Sequence, residues 1–239
     1  MSRVWSLTLF LLKDFSRSLR IVVPPGLLLA LYRVFFLYGS DVRYLGAVGA
    51  IMLGFICIVT TLLVIGTVNR ASTYPLLARL SSRDELIAAI MLASFIITLS
   101  LAILFIGWII LNQQVPLQPF DLIKIATRWL VIFILVIAFA LHLSKLVTRG
   151  GSNLVAYLIV VLSLVSYQRA EYPSFLLLDW TENLFTRILQ PLTALISGGS
   201  DLITLSQYAI ALAVTLLYSL LLYGLAIWLF RHKDLIWAE

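Results

Sequence analysis

Charge is the scarcest commodity in this 239-residue chain: Asp, Glu, Lys and Arg together make up 12% of it, while 62% is hydrophobic. Soluble domains carry roughly 25% charged and about 45–50% apolar residues, so this composition excludes a water-soluble globular protein. Cysteine occurs once, as Cys57 inside an apolar run, which excludes an internal disulfide, a cysteine metal cluster and a redox pair and leaves a small buried hydrophobe. None of the four lysines follows a glycine, so there is no phosphate-cradling Gly-Lys-Ser/Thr loop and no nucleotide hydrolysis of the chain's own. There is no HExxH, His142 and His232 are far apart, and too few ligands exist for zinc. Gly150, Gly151 and Ser152 lie in a basic stretch and read as a turn, not a serine nucleophile site. All eleven acids fall outside the central parts of the apolar runs, whereas coupled transporters usually hold carboxylates in the bilayer.

What is there is a series of long apolar runs. A membrane-spanning helix takes about 20 apolar residues, and the runs predict an all-α integral membrane protein with six spans at about 21–38, 45–68, 87–111, 126–144, 154–167 and 204–230. The fifth run is too short to cross alone, at about 21 Å, and the mixed segment 168–203 that follows reads as helices dipping partly into the membrane. The stretch 112–124, with two prolines, reads as a connecting loop, and 69–86 as a polar loop holding a short helix. In the second span Gly46, Ala50 and Gly54 form one small-residue stripe suited to close helix packing.

Residues 1–20 have no signal-peptide cleavage region; Lys13, Asp14, Arg17 and Arg20 follow the apolar stretch directly. At 100° per residue these charges and Arg3 share one arc, opposite Val4, Leu11, Leu12, Phe15 and Leu19, which predicts an amphipathic helix flat on the membrane surface, with Trp5 in its first turns. The net charge of +6 is dispersed between apolar runs, which argues against a nucleic-acid partner and for a topology signal. With six spans, eleven of the seventeen Lys and Arg fall on one side, and both termini are expected in the cytoplasm. Arg33 and Arg128 fall in spans near the opposite interface, where they either snorkel to water or an acid, or contact an anionic substrate head group on a substrate path. His142, near the inner end of the fourth span, suits an interhelical hydrogen bond.

Three stretches carry a resemblance. WSLTLFLLKDFSRSLR at 5–20 resembles the elbow helix, NRASTYPLLARLSSRDELIAAIML at 69–92 the coupling helix, and LFTRILQPLTALISGG at 184–199 the outer re-entrant segment of permease subunits of type 2 ABC exporters. The chain departs from the family's usual coupling segment, having Arg70, Ala71 and Ser72 where a glutamate and glycine are usual, Leu80 at the turn, and its proline at Pro75. The resemblance implies a multi-pass protein of the bacterial inner membrane, with residues 21–239 forming a single transmembrane domain. It implies two such permease subunits, identical or paralogous, and two ATP-binding subunits that carry the ATP and Mg and dock on the 69–86 loop through Arg70, Arg79, Arg83, Asp84 and Glu85. This chain would then hold no cofactor and perform no catalysis. An ATP-independent channel or scaffold, or a membrane-embedded enzyme, is the alternative reading.

Overall fold

Residues 3–35, 41–68, 83–112, 117–144 and 205–232 are described by a computed structural model, and 95% of them are helical, with no strand among them. The helices are α1 (Arg3–Arg17), α2 (Val23–Phe35), α3 (Val42–Val68), α4 (Arg83–Leu111), α5 (Pro119–Leu143) and α6 (Leu205–Arg231). Four contain segments long and apolar enough to cross a membrane: Tyr44–Val68, Asp84–Leu111, Pro119–Leu143 and Tyr208–Arg231. The described residues are therefore all-helical, and the chain has the character of a multi-pass membrane protein.

The ends of these helices are set by polar residues that hydropathy overlooks. α3 begins at Val42, three residues before the expected span, because the Asp41 carboxylate accepts a 2.6 Å hydrogen bond from the Tyr44 amide. α4 begins at Arg83 in place of 87, and Asp84 and Glu85 occupy the first turn, where the helix dipole favours negative charge. The expected loop at 112–124 is corrected further: α5 starts at Pro119, with Gln118 and Asp121 forming a capping box and proline in the first turn. Only α6 matches its expected span to within a residue at each end.

The N-terminal segment differs from a single 20-residue amphipathic helix. α1 stops at Arg17, Ser18 is extended, and a 3-10 turn over Leu19–Val22 leads into α2. The Ser18 hydroxyl donates to the Phe15 carbonyl at 2.8 Å and closes the last turn of α1. Arg20 and Leu19 consequently leave the α1 arc, and Leu19 is 91% exposed. Part of the apolar face of α1 packs on the bundle: Leu7, Leu11 and Phe15 are buried against α3 and α4, while Trp5, Leu9 and Phe10 are exposed. α2 covers 13 residues, about 20 Å against a hydrocarbon thickness of about 30 Å, and is not among the four spanning candidates. The expected runs at 154–167 and 168–203 lie outside the described residues, as do 36–40 and 69–82.

Two apolar cores are stacked along the bundle. One joins the first half of α3 to the second half of α4 and the first half of α5 through Leu45, Leu53, Ile56, Phe105, Ile109, Trp129 and Phe133. The other gathers Val64 and Val68 of α3, Ile87 and Ile90 of α4, Leu141 of α5 and Phe230 of α6 beneath α1. α3 and α5 therefore run in one direction and α4 in the other, while α6 runs parallel to α5, with Tyr208 beside the start of α5 and Phe230 beside its end.

α3 approaches α5 closely through its glycines. A Cβ placed on Gly49 would sit 2.6 Å from the Trp129 ring, and the indole N–H donates to the Gly46 carbonyl at 3.2 Å. Gly54 faces Ile132 and Val136 of the same helix, and Ala50 between them is buried, so the small-residue stripe read from the sequence is the seat of α5. Gly49→Ala must displace a rigid indole from a packed core and should destabilise the chain by about 1–3 kcal/mol in detergent unfolding. Gly107→Ala, where nothing lies within 4 Å of the added methyl, should be neutral or slightly stabilising; equal effects at the two glycines would contradict the packing described.

Candidate functional site

Function in a membrane bundle is carried by the polar groups it retains, and here these fall at three levels. The middle level holds hydroxyls and one thiol. Thr61 donates to the Cys57 carbonyl at 2.7 Å, Thr98 to Ser94 at 2.9 Å, Thr215 to Ala211 at 2.8 Å and Ser219 to Thr215 at 2.8 Å. Each of these four hydroxyls is answered inside its own helix, the arrangement that makes it cheap in lipid, whereas the buried hydroxyls of Thr60 and Ser94 have no partner among the described residues. Cys57 is a free, buried thiol among them. Acids of the described residues sit at or outside the helix ends or on α1, and no group of three His, Cys, Asp or Glu side chains able to hold a metal occurs among the described residues.

At the level of Gly46 the polar groups are cationic and aromatic. The half-buried Arg128 guanidinium occupies the space of the missing Gly46 side chain, its Nη1 lying 2.8 Å from where a Cβ would be. Its neighbour Thr127 shares a 2.9 Å hydrogen bond with the Tyr208 hydroxyl of α6, which also donates to the Lys124 carbonyl at 3.0 Å. The Lys124 ammonium turns back over the Phe120 ring, 4.4 Å from its centroid. Tyr32 meets Trp108 and Phe105 edge-on at 6.2 and 6.4 Å, and Phe105 lies 6.0 Å from Trp129. Tyr and Trp concentrate in this way at membrane–water boundaries. Arg33, the other expected substrate-path residue, is exposed in the last turn of α2, so the two guanidiniums have different surroundings.

At the level of Gly66 a second guanidinium is seated on α3 in the same manner. Arg20 Nη1 lies 2.6 Å from the position of a Gly66 Cβ and donates to the Leu63 carbonyl at 3.4 Å, near the helix C-terminus, where a cation is favoured. Lys13 and Arg17 are exposed on α1 together with Trp5. Among the expected docking residues, Arg70 and Arg79 lie outside the described residues. Arg83 opens α4, Asp84 accepts from Arg231 Nε at 2.9 Å and from its Nη2, and Glu85 is half-buried. The carboxylate therefore ties the start of α4 to the end of α6, a contact 147 residues apart in sequence. His232 caps the same end, its Nδ1 2.8 Å from the Trp228 carbonyl and its ring 4.9 Å from the indole. His142 has its Nδ1 2.9 Å from the Ala138 carbonyl of its own helix.

Sequence reading missed Tyr208, Trp129, the Arg20–Gly66 seat and the Arg231–Asp84 pair. A signal existed for the seats: Gly46 and Gly66 bracket the second span. No local signal existed for the ion pair, which depends on two helix ends meeting. Reversing one charge should expose that dependence. Asp84→Lys should lower the melting temperature in detergent, and adding Arg231→Asp should restore most of the loss; an unchanged melting temperature in the single variant would contradict the tie. Comparison with protein-family models, with curated proteins and with solved structures finds no match to this chain.

Proposed function

We propose that the chain is the permease subunit of an ATP-driven exporter of the type 2 ABC class, forming the substrate pathway and taking its energy from separate ATP-binding subunits. The single observation that carries this reading is what meets at the Gly66 end. The packed helix α1, the close of α3 at Val68, the opening of α4 at Arg83 and the Asp84–Arg231 tie all lie there, and the polar, arginine-bearing segment 69–82 leaves and returns at that point. A partner gripping this segment would pull on the starts and ends of three spans at once. The mid-level of the bundle supports the same reading from the other direction: among the described residues its polar side chains are hydroxyls and one thiol, which offer no carboxylate for ion coupling.

In this proposal the chain crosses the bacterial inner membrane six times with both termini in the cytoplasm, residues 154–167 and 168–203 supplying the fifth crossing and an outer re-entrant segment. Two permease subunits, identical or paralogous, pair around the path, and two ATP-binding subunits dock on Arg70, Arg79, Arg83 and Glu85. Asp84 relays the docking movement to α6 through Arg231. Arg33 and Arg128 stand at the opposite end, toward the side of release.

Two measurements test the reading. The chain should co-purify with an ATP-binding subunit, and Arg79→Glu with Arg83→Glu should lower vanadate-sensitive turnover of the complex at least about tenfold, the effect of losing roughly 1.4 kcal/mol of coupling. A stable, active chain that never binds an ATPase would instead be an ATP-independent channel, a scaffold or a membrane-embedded enzyme. A cysteine replacing Leu77 in a Cys57→Ala background should react with an impermeant maleimide from the cytoplasmic face alone, and labelling from outside would overturn the orientation.

A further inference from the structure

The two arginines seated on α3 differ in one respect. Arg20 has an acceptor in the Leu63 carbonyl and sits near a helix C-terminus, which carries partial negative charge. Arg128 sits near the N-terminal end of the same helix, where the dipole is unfavourable to a cation, and its buried Nε has no hydrogen-bond partner. No carboxylate pairs with it among the described residues, and its one side-chain partner is the Tyr208 hydroxyl. Lys124, one turn earlier on α5, adds a second cation on the same side of that helix. A half-buried guanidinium at a membrane boundary, with one nitrogen unpartnered and no counter-charge, is stabilised by an anion that supplies both.

The surroundings say what supplies them. Phe120 lies under the Lys124 ammonium, Ile123 precedes Lys124 on α5, and Ile210 follows Tyr208 by two residues on α6; all three are 60–62% exposed, apolar surface that free phosphate does not need and an acyl chain does. We propose that Arg128 and Lys124 form a binding site for the phosphate of an anionic phospholipid, whose acyl chains lie along the Ile123 and Ile210 wall. Arg128 offers the guanidinium fork suited to phosphate oxygens, and Lys124 contributes a point charge. The site requires that the bundle be embedded in a bilayer and does not depend on an ATP-binding partner.

The test is native mass spectrometry of the full chain released from detergent and titrated with phosphatidylglycerol or phosphatidylcholine. The chain should retain phosphatidylglycerol in preference to phosphatidylcholine, and Arg128→Gln should reduce that retention about tenfold. Lys124→Gln, at a side chain that packs only over an exposed ring, should reduce it severalfold without disturbing the fold, and Arg128→Lys should recover part of the loss. Arg17→Gln, which removes the same charge from α1, should leave retention unchanged. Equal retention of the two lipids, a loss with Arg17→Gln as large as with Arg128→Gln, or displacement of the lipid by millimolar inorganic phosphate would each overturn the assignment. Helical content measured by circular dichroism is required to be unchanged in every variant compared; if Arg128→Gln fails this, the Lys124→Gln result decides.

Discussion

Helices inside hydrocarbon gain little by hiding apolar side chains from one another, because lipid is as apolar as leucine, so contact and hydrogen bonding must hold them. In this chain that demand is concentrated where α3 meets α5. Glycines at 46 and 49 admit the Arg128 guanidinium and the Trp129 ring to the α3 backbone, and the indole N–H is satisfied by the Gly46 carbonyl. Trp129 in turn lies beside Phe105 of α4, and Phe105 beside Tyr32 of α2, so one closely packed pair positions helices on both sides of it. α6 is held differently, through Tyr208 at one end and Arg231 at the other. Its middle turns leave Leu217, Leu220 and Leu221 more than half exposed, a surface suited to lipid.

The glycines of α3 also act as a ruler. Gly46 and Gly66 are separated by twenty residues, about 30 Å along a helix, which is the thickness of the hydrocarbon core. Each seats a guanidinium, and between them the described polar side chains are hydroxyls, most of them bonded within their own helices, and the Cys57 thiol, which reaches the Phe133 carbonyl of α5. Charge is thus excluded from the whole distance a membrane would occupy and admitted where headgroups begin. Arginine is the cation suited to such a boundary, since its long stem lies on apolar surface while its head reaches the polar layer.

The sequence makes the class and most of the helices readable because apolar length is a local property. The second, third and last spans end where hydropathy places their C-terminal boundaries, near Val68, Leu111 and Phe230. Their N-terminal boundaries are less visible, since Asp41, Asp84 and the Gln118–Asp121 box extend the helices through polar residues that a hydropathy reading assigns to loops. The break at Ser18 was hidden for a different reason: one serine bonding back to Phe15 ends a helix whose amphipathic arc continues on paper through Arg20. The small-residue stripe was legible, whereas its partners were not, because nothing local to Arg20 or Arg128 states which glycine each will cover. The cationic residues of the candidate sites could be named from their membrane cost, but Tyr208 and the Asp84–Arg231 tie arise only when distant helix ends come together.

The account as a whole stands on four helices crossing a bilayer between the levels of the two glycine-seated arginines, with α6 presenting its outer face to lipid. Site-directed spin labels placed singly on that face, at Ile210, Leu217, Leu221 and Trp228 in a Cys57→Ala chain reconstituted in vesicles, measure depth through the ratio of collisions with oxygen and with a water-soluble nickel chelate. The ratio should be highest at positions 217 and 221 and fall toward both 210 and 228. A nickel chelate that reaches 217 or 221 as readily as 228 would contradict it.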